Sequence, residues 1–251
     1  MSAIGPQTVL LVFLLFCRIG GCLMLMPGIS SARVPVQVRL FIALAVTLAL
    51  APLLEPTLRP SLADRSSSAA LGLVATEVVV GALIGVMARV FFLALQFMAT
   101  AAAMFIGFGT MPGAPIEDAE PLPAFATLIT LTATVLLFLT EQHWEVLRAV
   151  LGSYTALPIS EPLGGDFSLA KLVDALTSAF IVALQISSPF IVYALIVNLM
   201  VGLANKLVPQ IPVYFIATPF ILAGGFLILY FTLGESLRMF MMGFMGWLAR
   251  G

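Results

Sequence analysis

Few side chains in this 251-residue sequence could do chemistry, and their spacing argues against most of it. The single histidine, His143, sits in Thr140-Glu141-Gln142-His143-Trp144-Glu145. One histidine among scattered acids is no metal site. Neither serine nor cysteine lies close to it in the chain, so no nucleophile–base pair is supported. Cys17 and Cys22 are off the shared face of a helix and read as small buried hydrophobes, not as a disulfide. The expectation is a non-enzyme with no catalytic residue, no cofactor and no metal. A net charge of −1 leaves no basic footprint for nucleic acid.

The remaining polar residues lie inside or between apolar runs. Glu77 precedes Gly81 and Gly85 at four-residue steps, so all three share one helix face. Such a face lets a second helix approach closely and aims the carboxylate at a partner or a cavity. The competing reading puts Glu77 in a first helical turn near the headgroups, where it complements the dipole. Arg89 points elsewhere on that helix, and a pair with Glu77 is not implied. Asn198, Gly202 and Asn205 share another face, with Lys206 beside it. Amides in lipid tend to bond across to another helix, so packing is favoured there over an ion path. A transporter would add more intramembrane carboxylates or other titratable groups. Methionines cluster at Met98, Met104 and Met111 and again at Met239, Met241, Met242 and Met245. Core filling is their ordinary role, and a deformable seal around a passage is the less common one.

These residues must be positioned by membrane helices. The sequence is 61% hydrophobic and 9% charged, with a mean hydropathy of +1.15. A soluble chain carries about 25% charged residues. Apolar runs of roughly 20 residues, enough to cross a bilayer core, recur throughout. The expected fold is all-α: one integral membrane domain over 1–251, built of long, partly broken helical hairpins.

Helix one is expected over about Gln7–Met26, stopped by Pro27-Gly28. Helix two is expected over Val38–Leu54, with Pro52, Pro56 and Pro60 marking its end and a polar linker to Ser68. Ala69–Phe108 exceeds one span and predicts a long or broken helix or a tight hairpin. Gly107–Pro123 is a loop with three acids, no base and four prolines. A threonine-rich span follows over Ala124–Thr140, then a polar connector over Glu141–Lys171. Leu172–Leu207 again exceeds one span, with a kink at Ser187-Ser188-Pro189. Lys206, Pro209, Gln210 and Pro212 form a break, since two prolines there end a helix. The last span is Val213–Leu233. Ile19-Gly20-Gly21-Cys22 faintly resembles a lipoprotein cleavage box, but Arg18 interrupts the apolar core before it, so this segment is read as a retained spanning helix. Six spans with cytoplasmic termini put Arg59, Arg65, Arg148, Lys171, Arg238 and Arg250 inside, and only Arg33, Arg39 and Lys206 outside.

The whole chain resembles the flagellar biosynthetic protein FliR family and its counterpart in virulence type III secretion. The order runs through Arg18-Ile19, Pro27-Gly28, Val34-Pro35 and Arg39, then Glu77, Gly81, Gly85, Ala88-Arg89 and Ala94-Leu95-Gln96. It continues through Phe138-Leu139, His143, Ser153-Tyr154 and Pro158, and ends with Gly202-Leu203, Lys206, Pro209-Gln210, Val213-Tyr214 and Pro219. The resemblance implies a non-catalytic subunit of an export gate in the bacterial inner membrane. Its partners would be FliP-like and FliQ-like subunits, FlhB-like and FlhA-like components, membrane lipid, and unfolded secretion substrates. It also implies that the loop over 107–123 is the plug of the closed gate, which would make Gly107, Met111, Pro112, Glu117, Asp118 and Glu120 gate residues. Much of the assembled complex would sit outside the ordinary bilayer plane. Departures from the family pattern are Gln142 for Gly, Lys206 for Arg and Pro212 for Asn. The alternative reading is a small secondary transporter or channel with helices broken at Pro189 and Pro212.

Overall fold

The computed structural model describes residues 5–31, 33–59, 67–108, 123–159 and 165–248. These form seven helices and no strand: α1 (Pro6–Leu25), α2 (Val36–Leu58), α3 (Ser67–Phe105), α4 (Ala124–Leu139), α5 (His143–Ala156), α6 (Gly165–Leu207) and α7 (Val213–Leu248). The all-α fold follows from the composition, because a helix satisfies every backbone group within its own segment when water is absent. Five of the helices are long and apolar enough to cross a membrane, and a sixth crossing results if α4 and α5 count together.

Several boundaries differ from the sequence expectation. α3 is a single helix of 39 residues, the long helix among the three expected alternatives, neither broken nor folded into a hairpin. α2 runs on through Pro52 and Pro56 to Leu58. α6 passes through Pro189 without ending. The proline removes the donor that would serve the Gln185 carbonyl, and the Ser188 hydroxyl donates to that oxygen at 2.8 Å instead. α7 continues past Leu233, through Glu235 and Arg238, to Leu248. The connector over 141–171 holds a helix of its own, α5, whose buried residues Val146, Val150 and Tyr154 recur every fourth position.

The chain forms two compact units. The first comprises Met1–Val90, Glu141–Leu176 and Leu248–Gly251. Here α1 ends at Pro27-Gly28, where Gly28 takes a left-handed φ of 85°. Arg39 closes the following loop by donating to the carbonyls of Val34 (3.0 Å) and Ser31 (2.6 Å). The second unit comprises Phe91–Thr140 and Thr177–Trp247. Its core is aromatic. Phe91 and Phe92 of α3 meet Phe240, Phe244 and Trp247 of α7, with ring centroids 5.0–6.0 Å apart. Thr130, Thr132 and Thr134 of α4 turn their hydroxyls back onto carbonyls four residues earlier, as Thr130 does to Ala126 at 2.8 Å, so each hydroxyl proton is satisfied within the helix.

Candidate functional site

The first unit holds the most concentrated polar constellation among the described residues. Arg18 stands in the middle of α1 and Glu77 in the body of α3, and both are buried to within 1%. The guanidinium grips the carboxylate with two bonds, Nε to Oε2 and Nη2 to Oε1, each 2.7 Å. Two further donors serve α5 and the turn after it: Nη1 reaches Ser153 Oγ and Nη2 reaches the Leu157 carbonyl, both at 3.0 Å. The Tyr154 ring lies 4.0 Å from the guanidinium carbon. A planar fork can make these bonds at once, which an ammonium group cannot. Each charge thus cancels the other where water is absent.

Glycines bring the two backbones close enough for this pair. A Cβ on Gly81 would overlap the Arg18 carbonyl oxygen. One on Gly85 would stand 2.5 Å from the Cys22 oxygen, and one on Gly21 would stand 2.9 Å from the Val78 oxygen. Glu77, Gly81 and Gly85 therefore lie on one face, and that face is covered by α1 of the same chain. Glu77 is the eleventh residue of α3, not in its first turn, so it does not serve as an N-terminal dipole partner for that helix. Sequence reasoning missed the partner. Arg18 entered only as a family match and as an interruption of an apolar run, while Ser153, Tyr154 and Leu157 lay in the supposed connector.

Asn198, Gly202 and Asn205 are exposed on α6. The Asn198 amide bonds back to the Ala194 carbonyl of its own helix at 2.8 Å, not across to another. The α6–α7 connection is a break of five residues, 208–212, flanked by Lys206 in the last turn of α6. Lys206, Pro209, Gln210 and Pro212 are all exposed, so no neighbour among the described residues covers their side chains. Met111, Pro112, Glu117, Asp118 and Glu120 lie outside the described residues. Gly107 is described and ends α3 with a φ of 85°. Among the described residues, no group of three His, Cys, Asp or Glu side chains could hold a metal ion.

Residues 9–246 match the family described as Bacterial export proteins, family 1. The chain belongs to this family. Its relatives include the flagellar biosynthetic protein FliR of Caulobacter vibrioides, 29% identical over 82% of this chain and 81% of that protein. FliR of Escherichia coli is 26% identical over 79% of this chain and 75% of its own length. FliR of Bacillus subtilis is 23% identical over 61% and 60%. The match takes in both units, and with it the Arg18–Glu77 pair and the α6–α7 bend. This family member is a multi-pass helical membrane protein whose buried charges meet in a closed pair.

Proposed function

We propose that this chain is a non-catalytic subunit of the flagellar type III export gate in the bacterial inner membrane. In this reading it packs against FliP-like and FliQ-like subunits and holds the segment over 107–123 as a barrier across the passage for unfolded substrates. FlhB-like and FlhA-like components lie further along the same route, and the termini face the cytoplasm. The match to the export family over residues 9–246 is the observation that carries the proposal.

The helix lengths agree with it. At 1.5 Å per residue, α3, α6 and α7 span about 58, 65 and 54 Å. A bilayer core is only about 30 Å thick, and helix tilts seldom pass about 40°. Apolar surface that emerges beyond lipid requires protein cover. α7 offers such surface, with Phe215 78% and Tyr230 81% exposed. The exposed stretch from Asn198 through Gly202, Asn205 and Lys206 to Pro209, Gln210 and Pro212 is the proposed partner contact. The transporter alternative loses one of its two expected breaks, because α6 is continuous at Pro189.

Two measurements test the proposal. Purification of the tagged chain from its native membrane, followed by mass spectrometry, should recover FliP-like and FliQ-like subunits. Deletion of residues 109–122 should make the closed gate leak ions. A tight membrane after the deletion refutes the barrier role, and transport of a small solute by the chain alone refutes the gate reading.

A further inference from the structure

We propose that Tyr193 is a positioning residue, whose hydroxyl pins the outer part of the α6–α7 hairpin and sets its angle to the rest of the second unit. The proposal goes beyond the export reading and does not depend on it. From Leu195 to Gly224 no residue is buried, whereas Ala194 and Gly225, which bracket that stretch, both are. Within it, half-buried positions recur at helical spacing: Val197, Val201 and Ala204 on α6, and Val213, Ala217 and Ile221 on α7. Each helix thus shields one stripe, and the rest of the stretch finds no cover among the described residues. Outside the stretch both helices are anchored. Ala183 and Phe190 of α6 are buried, and Phe240, Phe244 and Trp247 of α7 belong to the aromatic core. Gly243 of α7 closes on α6, where a Cβ would stand 2.7 Å from the Val182 side chain.

The base of this hairpin is weak in both helices. α6 carries Pro189 one turn before Tyr193. In α7, Pro219 removes the donor that would serve the Phe215 carbonyl, and Gly224 and Gly225 follow, the poorest helix formers after proline. Two contacts from outside α7 hold that turn. Ile106 of α3 fills the space at Gly225, where a Cβ would stand 2.6 Å from the Ile106 Cβ. Tyr193 of α6 fills the space at Gly224, where a Cβ would stand 2.5 Å from the hydroxyl. That hydroxyl donates to the Ile221 carbonyl at 2.6 Å, and the Gly225 N–H lies close to the same oxygen. Ile221 and Gly225 are the two ends of one rung of the helical ladder. The Tyr193 hydroxyl therefore reinforces α7 at the rung where it passes from anchored to uncovered. Prolines, glycines and side chains that enter the ladder are where helices bend. With the hydroxyl displaced, the turns at Pro189 and at 219–225 flex together, and the hairpin tilts while the aromatic core stays in place.

The test uses the full chain in mixed micelles. Two pairs of nitroxide labels are read by double electron–electron resonance. Leu207→Cys with Leu128→Cys measures the hairpin against α4, and Met242→Cys with Leu128→Cys measures the anchored part alone. All three sites are exposed, while the native Cys17 and Cys22 are buried and stay unlabelled. Amide hydrogen exchange at Gly225 is the second readout. The wild type should give a narrow distance distribution for both pairs. Tyr193→Phe keeps the ring and loses the hydroxyl, and Gly224→Ala pushes the hydroxyl off the carbonyl. Each should broaden the Leu207 distance and leave the Met242 distance narrow, and the double variant should broaden it no further. Tyr193→Phe should also speed exchange at Gly225 by roughly tenfold, the factor lost with one such hydrogen bond. Gly234→Ala, which meets nothing, should behave as wild type. A Leu207 distance that stays narrow in both variants overturns the pin, as does unchanged exchange at Gly225 in Tyr193→Phe. A wild-type distribution already as broad as the variants' overturns it too. Equal broadening of the Met242 distance marks general loosening and refutes a pin that acts on the hairpin alone.

Discussion

Replacing Arg18 by methionine removes the cation but keeps most of the side chain's length. Glu77 is then left almost fully buried on α3 with no counter-ion. Breaking a buried pair from one side costs about 3–5 kcal/mol. The Ser153 hydroxyl and the Leu157 carbonyl lose their donors as well, so Arg18→Met should destabilise the first unit by about 4 kcal/mol or more. Glu77→Leu strands the guanidinium and should cost about the same. The double variant strands neither charge and leaves only the two α5-side acceptors unserved, so it should cost about 2 kcal/mol. Arg18→Lys keeps the charge but not the fork and should lose about 2 kcal/mol. SDS titration of the purified chain in mixed micelles, followed by circular dichroism, measures all four. Single variants within 1 kcal/mol of wild type, or a double variant that costs the sum of the singles, would refute the argument that the pair is dry and mutually dependent.

Other substitutions test other contacts. Gly81→Ala places a methyl against the Arg18 carbonyl and should cost at least about 2 kcal/mol, whereas Gly152→Ala, which meets nothing, should gain about 0.5–1 kcal/mol in the same titration. Phe244 is fully buried among Phe91, Phe92, Phe240 and Trp247, so Phe244→Ala should cost about 4 kcal/mol and alter the Trp247 fluorescence. The Tyr154 hydroxyl is buried without a hydrogen-bond partner among the described residues, so Tyr154→Phe should be neutral or stabilising by about 1 kcal/mol while keeping the ring over Arg18. Glu141 holds a φ of 59°, and Glu141→Gly should gain about 0.5 kcal/mol, read as a higher unfolding midpoint.

The residues announce the class of this fold more plainly than its joints. Composition and run length identify a helical membrane protein, and Pro27-Gly28 and Pro209–Pro212 do end helices. Pro52, Pro56 and Pro189 do not. Proline removes a donor in every case, but the sequence cannot tell whether a neighbour such as Ser188 will serve the freed carbonyl. α5 was hidden by its average polarity, although Val146, Val150 and Tyr154 carry the helical period. The charged pair was partly legible. Arg18 is the sole charge before Arg33, and Glu77 is the sole acid in Ala69–Phe108. A dry charge must find its opposite, and that rule alone would join them. Ser153 and Leu157 needed the geometry of α5. Gly81→Leu should disrupt the chain's own α1–α3 contact, because a side chain at that position meets the Arg18 backbone.

The Arg18–Glu77 pair also sets a schedule for biogenesis. Its members are 59 positions apart. At about 5–20 residues per second, Glu77 emerges roughly 3–12 s after Arg18. Through that interval α1 carries an uncompensated cation, worth about 3 kcal/mol against insertion at a helix centre. The segment Gln7–Leu25 keeps a mean hydropathy of 2.3 with Arg18 included, and its apolar residues must carry the cation into the bilayer before α3 arrives. Ser153, 135 positions after Arg18, comes later still. For this end of the chain, entering the membrane and folding within it are a single ordered process. Arg18→Met should therefore speed the entry of α1 even as it weakens the finished protein.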